Sequence, residues 1–320
     1  MTKVVILLLV LAFSLNGEMI TRTKVLMGTF ATLKLQEEDK HHLKAVYTLL
    51  ERVDKSLSSY DKTSPIYKLN RDRKAYINLY TYEALTLSKQ YYKETAGYFD
   101  IAIGSITKDL YHFGEEERVP QQWELNASDT SFTSLKFDKH SAMIGQGIKI
   151  DLGGMGKGFG VDRAVELLLI NGVTSGSVAL SGDIRCLDIC KIDVHNPFDR
   201  KPLVSFYTNG KNIGISTSGN YHRYVETRDN NHLINPKTKQ SETNFISITL
   251  ISTVSNSDLD AYATAASVMP KELAYKFLDG MNLAYVVLES DRSLHMSENI
   301  AEFTSLKNNT LKENPQDIQN

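Results

Sequence analysis

The sequence predicts an α+β fold, a single large domain with mixed or antiparallel sheets flanked by helices. Short segments rich in β-branched residues follow one another through the second half of the chain, between segments with helical spacing of apolar residues. No internal repeat or linker divides the 320 residues. With 42% hydrophobic and 23% charged residues, the composition excludes collagen-like and wholly disordered chains. The net charge of −2 gives no sign of a nucleic-acid partner.

The first seventeen residues predict a secretory signal peptide. Lys3 precedes an uncharged apolar run at 4–13, and small and polar residues follow at 14–17. The run is shorter than the roughly 20 apolar residues that a spanning helix needs, although an uncleaved membrane anchor is the alternative. We therefore expect an exported, periplasmic protein that meets the inner membrane at most through this segment. The folded domain is expected at 18–305 and a polar tail at 306–320.

The first half of the chain predicts one strand and two helices. Residues 23–35 read as a strand, and apolar residues at three-to-four spacing predict an amphipathic helix over 40–57. Residues 58–70 are polar and contain Pro65, which favours an irregular loop. A second helix is expected from about 81 to 95, ending at Gly97, before a polar surface excursion at 115–130.

The second half begins with a strand end at 149–152 that enters a glycine-rich turn at 153–160. A helix follows and ends at Asn171-Gly172. Short strands are expected at 177–180, 191–194, 204–208, 213–216 and 245–254. Another helix should open near Ser257 and run to about Met269, just before Pro270.

The two cysteines, Cys186 and Cys190, could face each other at two strand ends around a tight turn. Disulfide geometry is exacting, so a bridge and two buried thiols are both open, with thiols as the default. The chain has no CxxC motif and no second cysteine pair, which excludes a structural zinc site built on cysteine.

The glycine-rich turn is the strongest local signal for chemistry. A strand, a turn with five glycines and a helix start place backbone N–H groups where a phosphate can approach, and Lys157 adds a positive charge. A dinucleotide fingerprint starting at Gly154 would need glycine at Phe159, and a P-loop would need Ser or Thr at Gly158. The turn is therefore neither motif, and tight steric packing is the alternative explanation.

Asp260 and Thr264 are spaced i,i+4 on the last predicted helix and share one face among small alanines. A carboxylate and a hydroxyl are hard oxygen ligands of the kind that Mg²⁺ prefers. A helix acid that complements the macrodipole, with a threonine bonded to its own helix, is the competing interpretation. His232 enters an apolar segment that ends at Pro236, so it could act as a base or a phosphate contact.

Taken in order, these segments resemble the ApbE family of flavin transferases, which move FMN from FAD onto a protein Thr or Ser. The resemblance spans about residues 24–290 and is specific as an ordered set rather than piece by piece. The segments that carry it are 27–29 (MGT), 58–60 (SSY), 64–70, 97–104 (GYFDIAIG), 150–162 (IDLGGMGKGFGVD), 181–185 (SGDIR), 216–219 (STSG), 232–236 (HLINP) and 260–265 (DAYATA).

The resemblance implies a fold related to the T-fold, a magnesium site and a set of FAD contacts. The implied metal ligands are the carbonyl of Gly154 with the side chains of Asp260 and Thr264. The implied FAD contacts are Met27, Tyr60, Phe99, Asp100, Asp151, Lys157, Asp183 and His232, with Tyr60 stacking on a flat ring. His232 is the expected proton acceptor or phosphate contact, with Asp151 as its rival, and Asp260 is expected to act in catalysis through the metal.

The resemblance also implies FAD as substrate and, as a partner, an acceptor flavoprotein of an exported or membrane-bound electron-transfer system. A magnesium-dependent FAD pyrophosphatase and a non-enzymatic FAD-binding protein are the alternatives. The sequence departs from the family pattern at Asn235, where Asp is common, and at Ser181, where Gly is common. The segment from Arg185 to His195 is short, which predicts a trimmed hairpin near the site.

Overall fold

The computed structural model describes residues 17–306, which form one domain of antiparallel sheets and helices. The predicted signal peptide (apart from Gly17) and the predicted tail from residue 307 onward lie outside the described residues. The strands are β1 (Met19–Leu26), β2 (Thr29–Gln36), β3 (Lys74–Tyr76), β4 (Leu135–Phe137), β5 (Ser141–Ile144), β6 (Ser177–Leu180), β7 (Asp183–Cys186), β8 (Lys191–Val194), β9 (Val204–Tyr207), β10 (Ile213–Gly219), β11 (Phe245–Ser252), β12 (Ala284–Glu289) and β13 (Leu294–Met296). The α-helices are α1 (Leu43–Leu57), α2 (Pro65–Asp72), α3 (Leu79–Glu94), α4 (Gly104–Thr107), α5 (Gln122–Ala127), α6 (Gly156–Ile170), α7 (Asn256–Ser267), α8 (Lys271–Asp279) and α9 (Ile300–Phe303).

An eight-stranded sheet in the order β1-β2-β6-β7-β10-β11-β12-β13 forms the centre of the domain, and every neighbouring pair is antiparallel. Helices α1, α6 and α7 pack on one face of this sheet through two apolar clusters. The small β8–β9 sheet and α9 cover part of the other face. All eight residues of β11 and all six of β12 are buried, as expected for central strands covered on both faces. The predicted α+β architecture is therefore confirmed.

The strand predicted at 23–35 is wrong, because this segment is the β1–β2 hairpin. Met27 and Gly28 occupy its two-residue turn at φ of +54° and +69°. Two consecutive positive φ values are typical of a type I′ turn, which usually carries Asn, Asp or Gly at the first position. Because Met27 occupies that position, the sequence lacks the usual signal for this turn.

The predictions of a loop at 58–70 and of a strand end at 149–152 are also wrong, because side chains there make hydrogen bonds to the backbone. Helix α2 lies in the segment predicted as a loop, since Ser64 caps it by accepting from Ile66 N and Pro65 sits in the first turn, where proline is well tolerated. The segment predicted as a strand end at 149–152 makes only an isolated bridge, between Lys149 and Ile103. The backbone of Ile150 is instead held by the Asn70 side chain, at 2.7 and 2.9 Å.

Cys186 and Cys190 form a disulfide, so the default of two thiols is wrong. They do not face each other in a hairpin, because Cys186 ends β7 in the large sheet and Cys190 precedes β8, which pairs with β9. The bridge therefore ties the large sheet to the small one that covers it. Within residues 17–306, the structure has no helix that is long and apolar enough to cross a membrane.

Candidate active site

The predicted site residues gather at one end of the large sheet, where the β1–β2 and β6–β7 turns lie next to each other. Ser181 N in the second turn donates to Phe30 O, just beyond the first turn. Helices α6 and α7 approach each other closely there. A Cβ on Gly158 of α6 would lie only 2.2 Å from the carbonyl oxygen of Asn256 in α7. Glycine at 158 is therefore required for steric reasons, and this close approach places Lys157 beside α7.

The first part of the site is the acid–lysine cluster, which we define as Lys157, Asp183 and Asp260. Lys157 Nζ lies 3.0 Å from Asp183 Oδ2 and 3.2 Å from Asp260 Oδ2. Asp183 is completely buried at the start of β7, and Ser216 Oγ of β10 donates to its other oxygen at 2.5 Å. Gly158 N donates to Asp260 Oδ2 at 3.1 Å. One ammonium group thus lies between two carboxylates at the junction of α6, α7 and the sheet.

Burial and charge act against each other in this cluster. Burial lowers the pKa of Lys157, but the two carboxylates outweigh it and raise the pKa above its usual range. Burial and the neighbouring charge of Asp260 raise the pKa of Asp183, although Lys157 and Ser216 act in the other direction. Lys157 therefore stays protonated, and the pair of acids carries an excess of negative charge that a second cation could share.

The proposed metal ligands lie together beside this cluster. Thr264 Oγ1 donates to Gly154 O at 3.2 Å, and Asp260 precedes Thr264 by one turn on α7. Ser218 Oγ on β10 is 3.3 Å from Thr264 Oγ1. Within residues 17–306, no three His, Cys, Asp or Glu residues cluster as a metal-binding group. Any cation held here would therefore rely on one or two carboxylates, a hydroxyl and a carbonyl, which is an all-oxygen set suited to Mg²⁺.

The second part of the site is the Tyr60 cluster, which we define as Tyr60, Lys108, Asp151 and Arg223. The Tyr60 hydroxyl donates to Phe113 O at 2.6 Å and accepts from Lys108 Nζ and, at 3.0 Å, from Arg223 Nη2. Lys108 Nζ lies 3.5 Å from Asp151 Oδ2. Burial raises the pKa of Asp151, but Lys108 and Arg223 outweigh it and hold that pKa at about 2. Asp151 is therefore an ionised carboxylate and a poor proton acceptor, which favours His232 over its rival.

His232 lies between the two clusters and is fixed by the backbone of Arg223. Its ring Nδ1 is 3.0 Å from Arg223 O, and its ring packs edge-on against Phe113. Burial, and then the charge of Arg223, lower the pKa of His232 to about 4, with a smaller effect of Lys157. A neutral ring that donates from Nδ1 to the carbonyl carries its free lone pair on Nε2.

The remaining predicted contacts have structural roles that the sequence does not show. Met27 lies at the tip of the first hairpin, and its sulfur packs against Gly160 of α6. The Phe99 side chain is buried in the core, edge-on to Tyr91. Asp100 accepts from Ala102 N at 2.8 Å and Phe132 N at 3.0 Å, and burial raises its pKa to about 7. Direct contacts of these three side chains with FAD stay a prediction.

Sequence reasoning missed Lys108, Arg223, Ser216 and Ser218 as individual site residues. Lys108 and Arg223 lie in segments without a recognisable motif, so only the fold brings them together. The two serines alternate on β10 and therefore point to the same face. That spacing is the one signal that could have indicated them.

A model of the ApbE family matches residues 27–287 of the sequence. The chain belongs to the ApbE family. A FAD:protein FMN transferase of Vibrio cholerae is 27% identical over 273 residues, which cover 77% of this chain and 80% of that protein. One of Buchnera aphidicola is 26% identical over 250 residues, covering 71% of this chain and 73% of that one.

Solved structures with the ApbE name show the same fold. The ApbE protein of Thermotoga maritima superposes with a TM-score of 0.81 at 23% identity and covers 89% of this chain and 99% of its own. The flavin transferase ApbE of Vibrio cholerae gives a TM-score of 0.77 at 22% identity, covering 90% and 99%.

The two departures from the ApbE pattern have local explanations. Asn235 is buried and holds the turn that follows it, because its Oδ1 accepts from Lys237 N at 2.9 Å and its Nδ2 donates to Glu242 at 2.9 Å. The amide supplies a donor that a carboxylate lacks. Ser181 has a φ of +57°, a region that glycine occupies without strain.

Proposed function

We propose that this protein is an FAD:protein FMN transferase, which moves FMN from FAD onto a Thr or Ser hydroxyl of an acceptor flavoprotein and releases AMP. The observation that carries the proposal is the acid–lysine cluster beside a neutral His232 in a chain of the ApbE family. The relatives of Vibrio cholerae and Buchnera aphidicola are FAD:protein FMN transferases.

The proposed reaction is a phosphoryl transfer in which no redox change occurs. The acceptor oxygen forms a bond to the FMN-side phosphorus, and the bond from that phosphorus to the AMP oxygen breaks. The hydroxyl proton leaves with the attack, and AMP departs with the bonding electron pair. Such reactions depend mainly on positioning and on stabilisation of charge.

We infer that His232 Nε2 accepts the hydroxyl proton, because its lone pair is free whereas the rival Asp151 has a pKa of about 2. With a pKa of about 4, its ring is a weak base before substrate binds. Phosphate oxygens beside the ring would favour the charged form and raise that pKa towards neutrality, where a general base is most effective. Substrate binding and base strength are therefore coupled.

Asp260, Thr264 and the carbonyl of Gly154 would hold a magnesium ion, with Asp183 near enough to add to the negative field. The oxygen donors and the excess negative charge of the acids fit this ion. When bound, Mg²⁺ would neutralise charge on the diphosphate and on the departing phosphate. Lys157 supplies a fixed positive charge in the same place.

The proposal includes an exported location. The sequence of residues 1–17 supports it, and the acceptor would then belong to an exported or membrane-bound electron-transfer system.

The test is incubation of the protein with FAD and Mg²⁺, with and without a periplasmic flavoprotein that carries an acceptor threonine. Intact mass spectrometry of both proteins and detection of AMP are the readouts, and the matched control is the acceptor with that threonine replaced by valine. A gain of one FMN on the threonine-bearing acceptor alone, with release of AMP, is the expected result. AMP and free FMN without a gain of mass would point to a pyrophosphatase. Unchanged FAD in both tubes would leave a binding protein.

A further inference from the structure

We propose that Lys108 and Arg223 form a metal-independent phosphate subsite, which holds one phosphate of the dinucleotide substrate. The inference rests on the proposed function, because it takes FAD as the ligand, but it concerns two residues outside the glycine-rich turn and the metal ligands.

Charge is distributed unevenly along the site. The acid–lysine cluster has two carboxylates and one ammonium group, so its formal charge is negative. The Tyr60 cluster has two cations, Lys108 and Arg223, and one carboxylate, Asp151, so its formal charge is positive. One end of the site is thus suited to a cation and the other to an anion.

Asp151 alone does not account for both cations. Asp151 already accepts from Thr107 Oγ1 at 2.7 Å and from Gly153 N at 2.9 Å, and Lys108 lies beside it at 3.5 Å. Arg223 makes no ion pair within residues 17–306. Among these described residues its guanidinium donates one hydrogen bond, from Nη2 to Tyr60, which leaves donors for a ligand.

The two cations are already oriented by Tyr60 and Phe113. The Tyr60 proton is committed to Phe113 O, so the lone pairs of its oxygen accept from both Lys108 and Arg223. Lys108 Nζ also lies 4.0 Å from the Tyr60 ring centroid, and the Arg223 guanidinium lies 5.3 Å from that of Phe113. Tyr60 is 43% exposed, so this arrangement opens to solvent. A planar guanidinium fixed in this way suits phosphate oxygens.

The subsite predicts a specific pattern of recognition. FMN and AMP each carry a terminal phosphate, whereas riboflavin and adenosine do not. Because the cations belong to the protein, one or both nucleotides should bind in the presence of a chelator, and the affinity should fall as ionic strength rises. Which nucleotide depends more on the pair identifies the phosphate that the subsite holds.

The experiment is calorimetric titration of the full chain with FMN, AMP, riboflavin and adenosine in EDTA. Arg223→Met and Lys108→Met should each weaken binding of FMN or AMP by about tenfold or more and leave riboflavin and adenosine unchanged. Arg71→Met and Lys191→Met remove exposed cations of the same types elsewhere, at side-chain exposures of 57% and 54%, and should change nothing. Arg223→Lys keeps the charge without the planar fork and should give an intermediate loss.

Circular dichroism should show that each variant is folded, and Arg223→Lys, with its intermediate loss of affinity, carries the test if a methionine variant is not. Unchanged affinity for both nucleotides in the folded variants would overturn the inference, and so would binding of FAD with Mg²⁺ when neither FMN nor AMP binds in EDTA. Failure of the wild-type protein to bind FAD, FMN and AMP even with Mg²⁺ would instead contradict the proposed function.

Discussion

The two halves of the candidate site differ in how the chain builds them. The acid–lysine cluster stands on α6, α7 and β7, where backbone hydrogen bonds and a buried core fix each side chain. In the Tyr60 cluster, only Lys108 directly follows a helix, the short α4, and the other three members lie in loops held by side-chain contacts. The half expected to bind a cation is therefore the more rigid one, whereas the half expected to bind an anion depends on a network of side-chain contacts that one or two substitutions would disrupt.

The largest expected effect comes from Asp260→Asn in the rigid half. The amide preserves the shape but removes the charge beside Lys157 and Thr264, so release of AMP from FAD should fall by about 10²–10³-fold, the scale typical of losing one electrostatic contact in a transition state. Chromatographic assay of AMP with FAD and Mg²⁺ provides the measurement. Asp193→Asn, at an exposed position on β8, is the control and should keep full activity. Near-normal turnover in Asp260→Asn would show that the acid–lysine cluster is structural only.

The next effect is on stability, and it contrasts Asp183 of the acid–lysine cluster with His232, which lies between the two clusters, by the sign of the pH dependence. Burial and Asp260 raise the native pKa of Asp183, so at mildly acidic pH the folded protein holds a proton that the unfolded chain, with a pKa near 4, has already released, whereas at pH 7.5 Asp183 is mainly ionised in both. The contribution of Asp183 to the free energy of unfolding is therefore present below about pH 4 and is lost as the pH rises from there towards its raised native pKa. Asp183→Asn should raise the free energy of unfolding at pH 7.5 by on the order of 1–3 kcal/mol and by less at pH 5. Urea denaturation in EDTA gives both values. A variant that is less stable than wild type at pH 7.5 would reverse the assigned sign.

His232 should show the opposite sign. Its native pKa of about 4 lies below the ordinary value of 6.5, so the unfolded chain takes up the proton first as the pH falls. The stability that neutral His232 contributes is present above pH 6.5 and is lost towards pH 4. His232→Gln should therefore reduce the loss of unfolding free energy between pH 7 and pH 5 by on the order of 1–2 kcal/mol. His295→Gln, at an exposed histidine, is the control. Parallel pH curves for wild type and His232→Gln would exclude a depressed pKa.

The smallest effect is expected at the β6–β7 turn beside the acid–lysine cluster. Ser181→Gly removes the backbone strain of a left-handed φ of +57°, but glycine also increases the entropy of the unfolded chain. We expect the free energy of unfolding to rise by about 0.5 kcal/mol. Asn212 has a similar φ of +58°, but asparagine tolerates this region better, so Asn212→Gly should gain less. Thermal denaturation of the two variants side by side measures the difference. An equal or larger gain in Asn212→Gly would mean that strain at Ser181 is not relieved by glycine.

Local patterns were sufficient where the chain folds through neighbouring residues. The spacing of apolar residues predicted α1 and α6, and helix start and stop signals predicted α3 and α7. Helix α6 begins earlier than predicted, at Gly156 inside the segment predicted as a turn. The i,i+4 spacing placed Asp260 and Thr264 on one face of α7. Alternation located β6 and β8 as they occur. These features depend on periodicity, which a single sequence displays directly.

Other features depended on contacts between distant segments. Helix α2 begins at Ser64 and Pro65, the β1–β2 turn uses methionine at a positive φ, and Ile150 bonds to Asn70, eighty positions earlier. The order of strands in the large sheet likewise follows no local signal. Each of these features depends on local capping, turn geometry or distant contacts that the spacing of apolar residues does not reveal.

The fold class, the resemblance to the ApbE family and some residues beside the glycine-rich turn, such as Asp260 and Thr264, could be predicted from the sequence. The position of Lys157 between Asp183 and Asp260, the meeting of Lys108 and Arg223 at Tyr60 and the neutral state of His232 could not. The physical reason is that charge and burial act through space. A pKa depends on neighbours a few ångströms away, and those neighbours come from turns and strands far apart in the chain.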